Sequence, residues 1–344
     1  MMQYSNPLPR SKTRIDWVDA AKGLGILLVI LGHTYSIPHW IYCLIYGFHM
    51  PLFFLLSGLT YRYDPDIPLD SYVRKLAKAY LLPYITLSLI NLVLQSLWLL
   101  YLGQLDLHII GKYLMGTLYC YATMEWMPNC SPLWFLCAIF LAKLFLFLFY
   151  RLLRGNKVGI TCAVAGCGLI AWLLSLSDLP RLPWNILPAM MGGVFLWIGH
   201  LLREDKDFLA RGWSRTTILP VVLSLVLSPW IARNVPGMNE NFYDNVLLFF
   251  ISGFGFSFLL IFLSVQLRRI SFLSNFLGKN TLILMGFNYF ARTFAVEFYY
   301  LIPVVRNYTI RPIIAFILTL LLLLSITWIY TRFIQRRRNK AYAT

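Results

Sequence analysis

The sequence predicts an all-α, polytopic integral membrane protein with about ten transmembrane helices and both termini in the cytoplasm. Of its 344 residues, 59% are hydrophobic and only 13% are charged, whereas soluble proteins are roughly half apolar and a quarter charged. A soluble fold of this length cannot bury so much apolar surface. Ten segments reach or approach the roughly 20 apolar residues that a helix needs to cross a bilayer core.

These ten predicted spans follow one another along the chain. They are 22–39, 41–61, 79–102, 131–150, 158–177, 184–202, 216–232, 245–264, 281–301 and 312–333. Since no soluble insertion or internal repeat separates them, we expect one transmembrane domain over residues 1–344. We expect a cytoplasmic N-terminal tail at 1–15 and a basic cytoplasmic C-terminal tail at 334–344.

The positions of the cations set the expected orientation. Cytoplasmic loops are enriched in Lys and Arg, and with the N-terminus inside, 23 cations fall in inner segments and 5 in outer ones. The net charge of +16 is therefore assigned to loops, and we expect no nucleic-acid partner. The polar, basic first residues lack the apolar stretch of a cleaved signal peptide.

Two predicted exterior segments are long. Residues 103–131 are aromatic and too polar to span, so we expect them to lie at the membrane interface or to fold over a cavity, whereas 233–245 is rich in turn formers. Six scattered cysteines lack metal-ligand spacing, and we expect no metal site. Cys120 and Cys130, which share the first exterior segment, are expected as small apolar fillers or as a disulfide.

The first two spans contain the chemically distinctive residues, because ionisable groups inside a membrane are costly and mark function. Lys22 and His33 lie eleven residues apart, which places them on the same helix face and about 16 Å apart along its axis. Asp19, one turn earlier, is expected to pair with Lys22. In the alternative reading, Lys22 snorkels at the boundary and His33 only hydrogen-bonds a neighbouring helix.

The second span adds two further candidates, and a later span adds a cation. His49 is expected either to face the cavity of His33 or to sit at the outer interface, and His39 is expected in the turn before it. Ser57, beside a glycine, leaves a small polar notch. Lys143, inside the fourth predicted span, is expected to be structural or to snorkel.

Four stretches in order resemble a known family. They are DWVDAAKGLGILLVILGH, FHMPLFFLLSG, RKLAKAYLLPY and SPLWFLCAIFLAK. Together they resemble acyltransferase family 3 of the membrane O-acyltransferases, and within it the fucose 4-O-acetyltransferase-like members that modify bacterial surface polysaccharides. The resemblance runs from Asp16 to Leu144 and resumes at Leu277 to Phe290.

This resemblance implies a function and a site. The family's first-helix signature, an Arg or Lys followed by ten residues and a His, matches Lys22 and His33, and implies that His33 is catalytic. It also implies that cytoplasmic acetyl-CoA is the donor, and that a sugar hydroxyl of a surface polysaccharide such as O-antigen, or of its lipid-linked precursor, is the acceptor. The expected location is the bacterial inner membrane. Asn288 stands where relatives often have a second His, so His33 is expected to carry the proton chemistry largely alone.

The remaining site residues are assigned by their chemistry. A CoA donor needs cations for its phosphates, and five are expected to cluster at the inner face: Arg14, Lys22, Arg74, Lys75 and Lys78. His33 is expected to act as general base in direct transfer, with an acetyl-histidine intermediate as the alternative. The expected substrate-binding residues are His49, Ser57, Trp134 and Asn288.

Arg292, in the ninth predicted span, is the last candidate. We expect it to hold an acceptor hydroxyl or phosphate, or to neutralise the tetrahedral oxyanion, with an ion pair to Glu297 or Glu125 as the alternative. A different class of function also remains open. Buried His33 and Arg292 would equally suit a proton-coupled transporter or flippase.

Overall fold

A computed structural model describes residues 15–128, 130–300 and 311–341, and these are almost entirely helical. This confirms the predicted all-α membrane fold. The α-helices are α1 (Asp16–Gly32), α2 (His39–Tyr46), α3 (His49–Leu59), α4 (Leu69–Leu76), α5 (Leu82–Tyr101), α6 (Leu107–Tyr119), α7 (Trp134–Leu152), α8 (Lys157–Ser175), α9 (Ile186–Leu202), α10 (Lys206–Arg211), α11 (Arg215–Val226), α12 (Ser228–Ile231), α13 (Val246–Leu267), α14 (Thr281–Gly286), α15 (Asn288–Tyr300) and α16 (Arg311–Ala341). The strands β1 (Pro236–Gly237) and β2 (Phe242–Tyr243) pair antiparallel.

Within the described ranges, seven helical stretches are long and apolar enough to cross a membrane. They correspond to the second to sixth, the eighth and the tenth predicted spans. The other three predicted spans consist of shorter helices. The 17 residues of α1 form the first, α11 and α12 share the seventh, and α14 and α15 divide the ninth.

Several predicted boundaries move. The first helix ends at Gly32, with His33 as its C-terminal cap, and His39 begins α2 because Pro38 occupies the N-cap position. The prediction of His39 as a turn residue is therefore wrong. At the other end of the chain, α16 continues through Ala341, so the described part of the predicted C-terminal tail is helical.

The cysteines form no disulfide. Cys120 and Cys130 are buried free thiols, so the disulfide alternative is wrong. Cys120 instead accepts a hydrogen bond from Asn185 Nδ2 at 3.2 Å.

Helices α3 and α9 cross without side chains between their backbones. A Cβ at Gly58 would collide with the carbonyl oxygen of Leu196, and one at Gly199 would collide with that of Leu55. Small residues allow this close approach in membrane proteins, where packing rather than apolar burial holds helices together. The crossing fixes α3, which carries His49 and Ser57.

The start of α1 is fixed in a similar way. A Cβ at Gly23 would collide with the carbonyl oxygen of Leu273, and one at Gly278 with that of Asp19. The indole Nε1 of Trp17 also donates to the carbonyl of Leu209 at 2.9 Å. These contacts hold the helical turns that carry Asp19 and Lys22.

The two predicted exterior segments fold against each other. Asn239, in the turn between β1 and β2, donates to the carbonyl of Ala122 at 2.8 Å. Trp184, which lies outside both segments, also holds the first one, because it donates to the carbonyl of Leu118 at the end of α6 at 3.1 Å. Residues 122–124 then line an internal cavity, so the first exterior segment folds over a cavity, as one of its two predicted placements states.

Candidate active site

One cavity of about 500 Å³ collects five of the twelve predicted site residues. It lies among α1, α3, α7 and α14, and a π-helical turn at Ala77–Leu81 closes one side. Five of the residues expected to bind substrate or perform chemistry line it: Lys22, His33, His49, Ser57 and Trp134.

Three helices run along this cavity and give it two chemically different ends. One end is basic and has Lys22 of α1 and Lys143 of α7, with Thr60 at the C-cap of α3. At the other end His33 and His49 approach each other, with ring centroids 6.3 Å apart. Along α1 the two ends are separated by eleven residues, about 16 Å.

His33 has a defined tautomer, because its ring is tied to its own helix. Its Nδ1 lies 2.7 Å from the carbonyl oxygen of Val29, and a carbonyl only accepts hydrogen bonds. The proton of the neutral ring is therefore on Nδ1, where it is donated to Val29. The lone pair on Nε2 is left free, as a general base requires.

His49 repeats this arrangement. Its Nδ1 lies 2.8 Å from the carbonyl oxygen of Ile45, so its Nε2 also lacks a proton in the neutral ring. The side chain is only 3% exposed and packs edge-on against Tyr46, with centroids 4.9 Å apart. Of the two predicted placements, the cavity rather than the outer interface is the one observed.

Aromatic rings surround the two histidines. His33 lies 5.6 Å from the Tyr46 ring and 5.2 Å from the Tyr289 ring, between centroids. Tyr42 stacks on Tyr46 at 4.0 Å. None of these three tyrosines is among the site residues predicted from the sequence.

A second cavity of about 670 Å³ adjoins the basic end of the first; we call it the vestibule. Both cavities are lined by the same five residues, which we call the neck: Lys22, Thr60, Ala79, Tyr80 and Lys143. Five described cations line the vestibule: Lys22, Arg62, Lys75, Lys143 and Arg203. Asp19 is the one acidic residue among its described lining residues.

The vestibule cations crowd one another. Burial, together with the neighbouring Arg62, lowers the pKa of Arg203. Asp19, the one described acidic residue in this lining, lies 3.6 Å from Lys22 Nζ, so the described cations outnumber it five to one. A concave basic surface of this kind attracts anionic ligands.

Comparison with known proteins identifies the family. A family model described as an acyltransferase domain matches residues 15–332, which is most of the chain and includes every residue of both cavities. The chain belongs to the acyltransferase 3 family. No match to it was found among curated proteins or solved structures.

In this membrane acyltransferase, the cations predicted to bind the CoA donor divide into three groups. Lys22 and Lys75 line the vestibule. Arg74 is exposed and pairs with Asp70 at 3.1 Å, and Lys78 is also exposed and lines neither cavity. Arg14 lies outside the described residues.

Arg292 of the acyltransferase approaches His33 through the backbone. Its Nη1 donates a long hydrogen bond to the His33 carbonyl oxygen at 3.5 Å, and its guanidinium lies 4.5 Å from the centroid of the Tyr289 ring. Glu125, one of its predicted partners, pairs instead with Lys112. Arg292 therefore contacts the backbone of His33 and the ring of Tyr289, which itself packs against the ring of His33.

Asn288 is not among the residues that line the cavity. Its side chain is completely buried, and neither amide atom has a hydrogen-bond partner in the described part of the chain. It begins α15 directly after the break at Phe287. Its neighbour Tyr289 lines the cavity, whereas Asn288 itself does not.

Sequence reasoning also undervalued Lys143. It was expected to be structural or to snorkel, but it lines both cavities, and its Nζ lies 5.3 Å from the centroid of the Tyr80 ring. A lysine near the middle of a long apolar stretch was the available signal.

Proposed function

We propose that this acyltransferase transfers an acetyl group from cytoplasmic acetyl-CoA to a sugar hydroxyl of a bacterial surface polysaccharide or its lipid-linked precursor. The observation that carries the proposal is the contact of His33 Nδ1 with the Val29 carbonyl, which leaves Nε2 available as a base, inside a cavity that meets a cationic vestibule. The fucose 4-O-acetyltransferase-like sequence motifs supply the substrate class. The expected site of action is the bacterial inner membrane.

The two cavities suit a long donor that is charged at one end. The phosphates of CoA would lie among the vestibule cations, since charge-assisted hydrogen bonds to phosphate are strong. The pantetheine arm would pass the neck between Lys22 and Lys143 and bring the thioester toward His33. The positive-inside charge distribution puts the vestibule on the cytoplasmic side.

The other end of the cavity suits a sugar. Tyr42, Tyr46 and Tyr289 offer aromatic faces and hydroxyl groups, and His49 Nε2 is a free acceptor for a sugar hydroxyl. Glu240 lines the cavity from the turn between β1 and β2. A mainly apolar wall with a few polar groups is the usual character of a small-molecule site.

The chemistry follows from the His33 tautomer. Nε2 takes the proton of the attacking sugar hydroxyl while its oxygen bonds to the thioester carbonyl carbon. The resulting tetrahedral intermediate expels the CoA sulfur as the carbon–sulfur bond breaks. The imidazolium returns its proton to that sulfur, so the products are the O-acetyl sugar, CoA thiol and neutral His33.

The test uses membranes that contain the full chain. They are incubated with radiolabelled acetyl-CoA and the glycan of the producing cell, and label in the glycan is counted for the wild type, His33→Ala and His108→Ala. His108 is exposed on α6 and lines neither cavity, so its variant is the matched control. We expect full labelling by the control and loss of labelling by His33→Ala.

Two results would overturn the proposal. Equal labelling by the wild type and His33→Ala would remove the catalytic role of His33. Absence of labelling by the wild type, with the protein shown to be folded in the membrane, would refute the donor or the acceptor.

A further inference from the structure

Lys143 is a half-buried cation inside a membrane-spanning helix, and the reaction described above gives it no individual role. It is the tenth of the 19 residues of α7, so nine residues, about 13 Å of helix, separate it from Leu152. That is further than a lysine side chain reaches, and snorkelling to the helix end does not explain it. A mid-helix cation in an apolar environment is costly unless it has a partner or a function.

The surroundings of Lys143 contain no acidic partner among the described side chains. No described Asp or Glu forms an ion pair with it. Its Nζ instead lies 5.3 Å from the centroid of the Tyr80 ring, which belongs to the π-helical turn Ala77–Leu81. Such turns are frequent at functional sites, and this one brings Ala79 and Tyr80 into the neck.

The location of Lys143 is as informative as its environment. Together with Lys22 it lines the neck, where the vestibule and the first cavity share lining residues. The neck is about 16 Å from His33, as measured along α1. The pantetheine arm, from its phosphate to its sulfur, is as long as about four residues of extended backbone, roughly 15 Å.

We propose that Lys143, with Lys22, binds the donor phosphate nearest the thioester, and so positions the thioester at His33. Arg62 and Arg203, in the vestibule but outside the neck, then remain for the phosphates at the nucleotide end of the donor. Lys143 is thus a positioning residue, because holding this phosphate sets how far the thioester extends toward His33. The proposal rests on the CoA-dependent function proposed above.

Binding of truncated donors tests this assignment. Four ligands are titrated against the detergent-solubilised full chain: CoA, 3′-dephospho-CoA, 4′-phosphopantetheine and pantetheine. The variants are Lys143→Met, which keeps the length of the side chain but removes its charge, and Lys206→Met as matched control. Lys206 begins α10 and lines neither cavity.

The expected result is a selective loss. Lys143→Met should weaken binding of CoA and of 4′-phosphopantetheine by about tenfold to a hundredfold, the usual effect of losing a hydrogen bond to a charged group. Pantetheine affinity should stay unchanged, and so should the ratio of CoA to 3′-dephospho-CoA affinities. Lys206→Met should match the wild type for all four ligands.

The outcomes separate this proposal from the proposed function. If the wild type binds CoA but Lys143→Met retains the wild-type preference for 4′-phosphopantetheine over pantetheine, the role of Lys143 is refuted and the function stands. If the wild type binds none of the four ligands, the CoA-dependent function itself fails. Retained pantetheine binding reports that the Lys143→Met site is folded, and Lys143→Gln repeats the test if the Met variant does not fold.

Discussion

The two histidines of the cavity make a kinetic prediction, because they have the same tautomer but different positions. His33 lies at the end of α1 and His49 at the start of α3, with their rings 6.3 Å apart. We assign proton transfer to His33 and binding of an acceptor hydroxyl to His49. Substitution of each by Gln keeps a polar side chain of similar size and removes its ability to accept a proton from a hydroxyl.

The expected magnitudes differ by the nature of the lost interaction. Loss of a general base typically lowers the rate by about a hundredfold to ten-thousandfold, or about 3 to 5 kcal/mol of transition-state stabilisation. His33→Gln should therefore lower kcat in this range. It should leave KM for acetyl-CoA nearly unchanged, because the basic neck is about 16 Å away along α1.

His49→Gln should behave differently. The amide oxygen of Gln can still accept a hydrogen bond from the sugar hydroxyl, although from a different position. At most one neutral hydrogen bond, worth about 0.5 to 1.5 kcal/mol, is weakened, so KM for the acceptor should rise no more than about tenfold. The effect on kcat should be much smaller than that of His33→Gln.

Steady-state kinetics in detergent or reconstituted membranes measures both variants. The acid limb of the kcat profile against pH, where an imidazole base becomes protonated and inactive, should disappear in His33→Gln and remain in His49→Gln. A larger loss of kcat in His49→Gln than in His33→Gln would refute the assignment and make His49 the base.

Two predictions concern stability. Gly199→Ala should lower the free energy of unfolding by about 1 to 3 kcal/mol, as expected for overpacking, because its Cβ would collide with the Leu55 backbone. The control is Gly193→Ala on the same helix, whose Cβ meets nothing within 4 Å and which should leave the thermal unfolding midpoint unchanged. Equal shifts of the midpoint in the two variants would contradict this packing. Hydrogen bonds from Lys157 lower the pKa of Glu204, so their exposed ion pair stabilises the fold above the ordinary pKa of a glutamate and ceases to do so as the pH falls through the lowered value. Glu204→Gln should therefore cost at most about 1 kcal/mol at neutral pH, and this cost should shrink as the pH falls below the ordinary pKa of a glutamate. A destabilisation that stays constant as the pH falls would contradict this linkage.

The sequence predicted those features of the fold and site that depend on local spacing. Lys22 and His33 share one cavity because an interval of eleven residues returns to the same face of a helix. The pairing of Asp19 with Lys22 follows from the same periodicity. The existence of most spans follows from their length and apolar composition.

Features that depend on contacts between distant segments were not predictable in this way. Tyr289 and Tyr46 meet His33 because α15 and α2 pack beside the end of α1, and no spacing within either helix records that. The expectation that Lys143 snorkels came from its place within one apolar helix. Its contact with the ring of Tyr80 depends on the packing of α7 against the π-helical turn that carries Tyr80. Asn288 was expected to bind substrate, but its side chain is completely buried at the break between α14 and α15 and does not line the cavity.

The partner of His33 Nδ1 also bears on the proposed mechanism. Val29 supplies a neutral carbonyl, whereas serine proteases use a carboxylate at this place to stabilise the imidazolium that forms. Those enzymes must expel an amine, but a thioester expels a thiolate whose conjugate acid has a pKa of about 8.5, only about two units above that of an imidazolium. A thiolate leaves without a strongly stabilised acid beside it, so a histidine held only by its own helix suffices for acyl transfer from a thioester. Among the described contacts, His33 Nδ1 has no carboxylate beside it, and a thioester donor permits this. An amide or alkyl ester donor, which has a poorer leaving group, would require stronger stabilisation of the imidazolium.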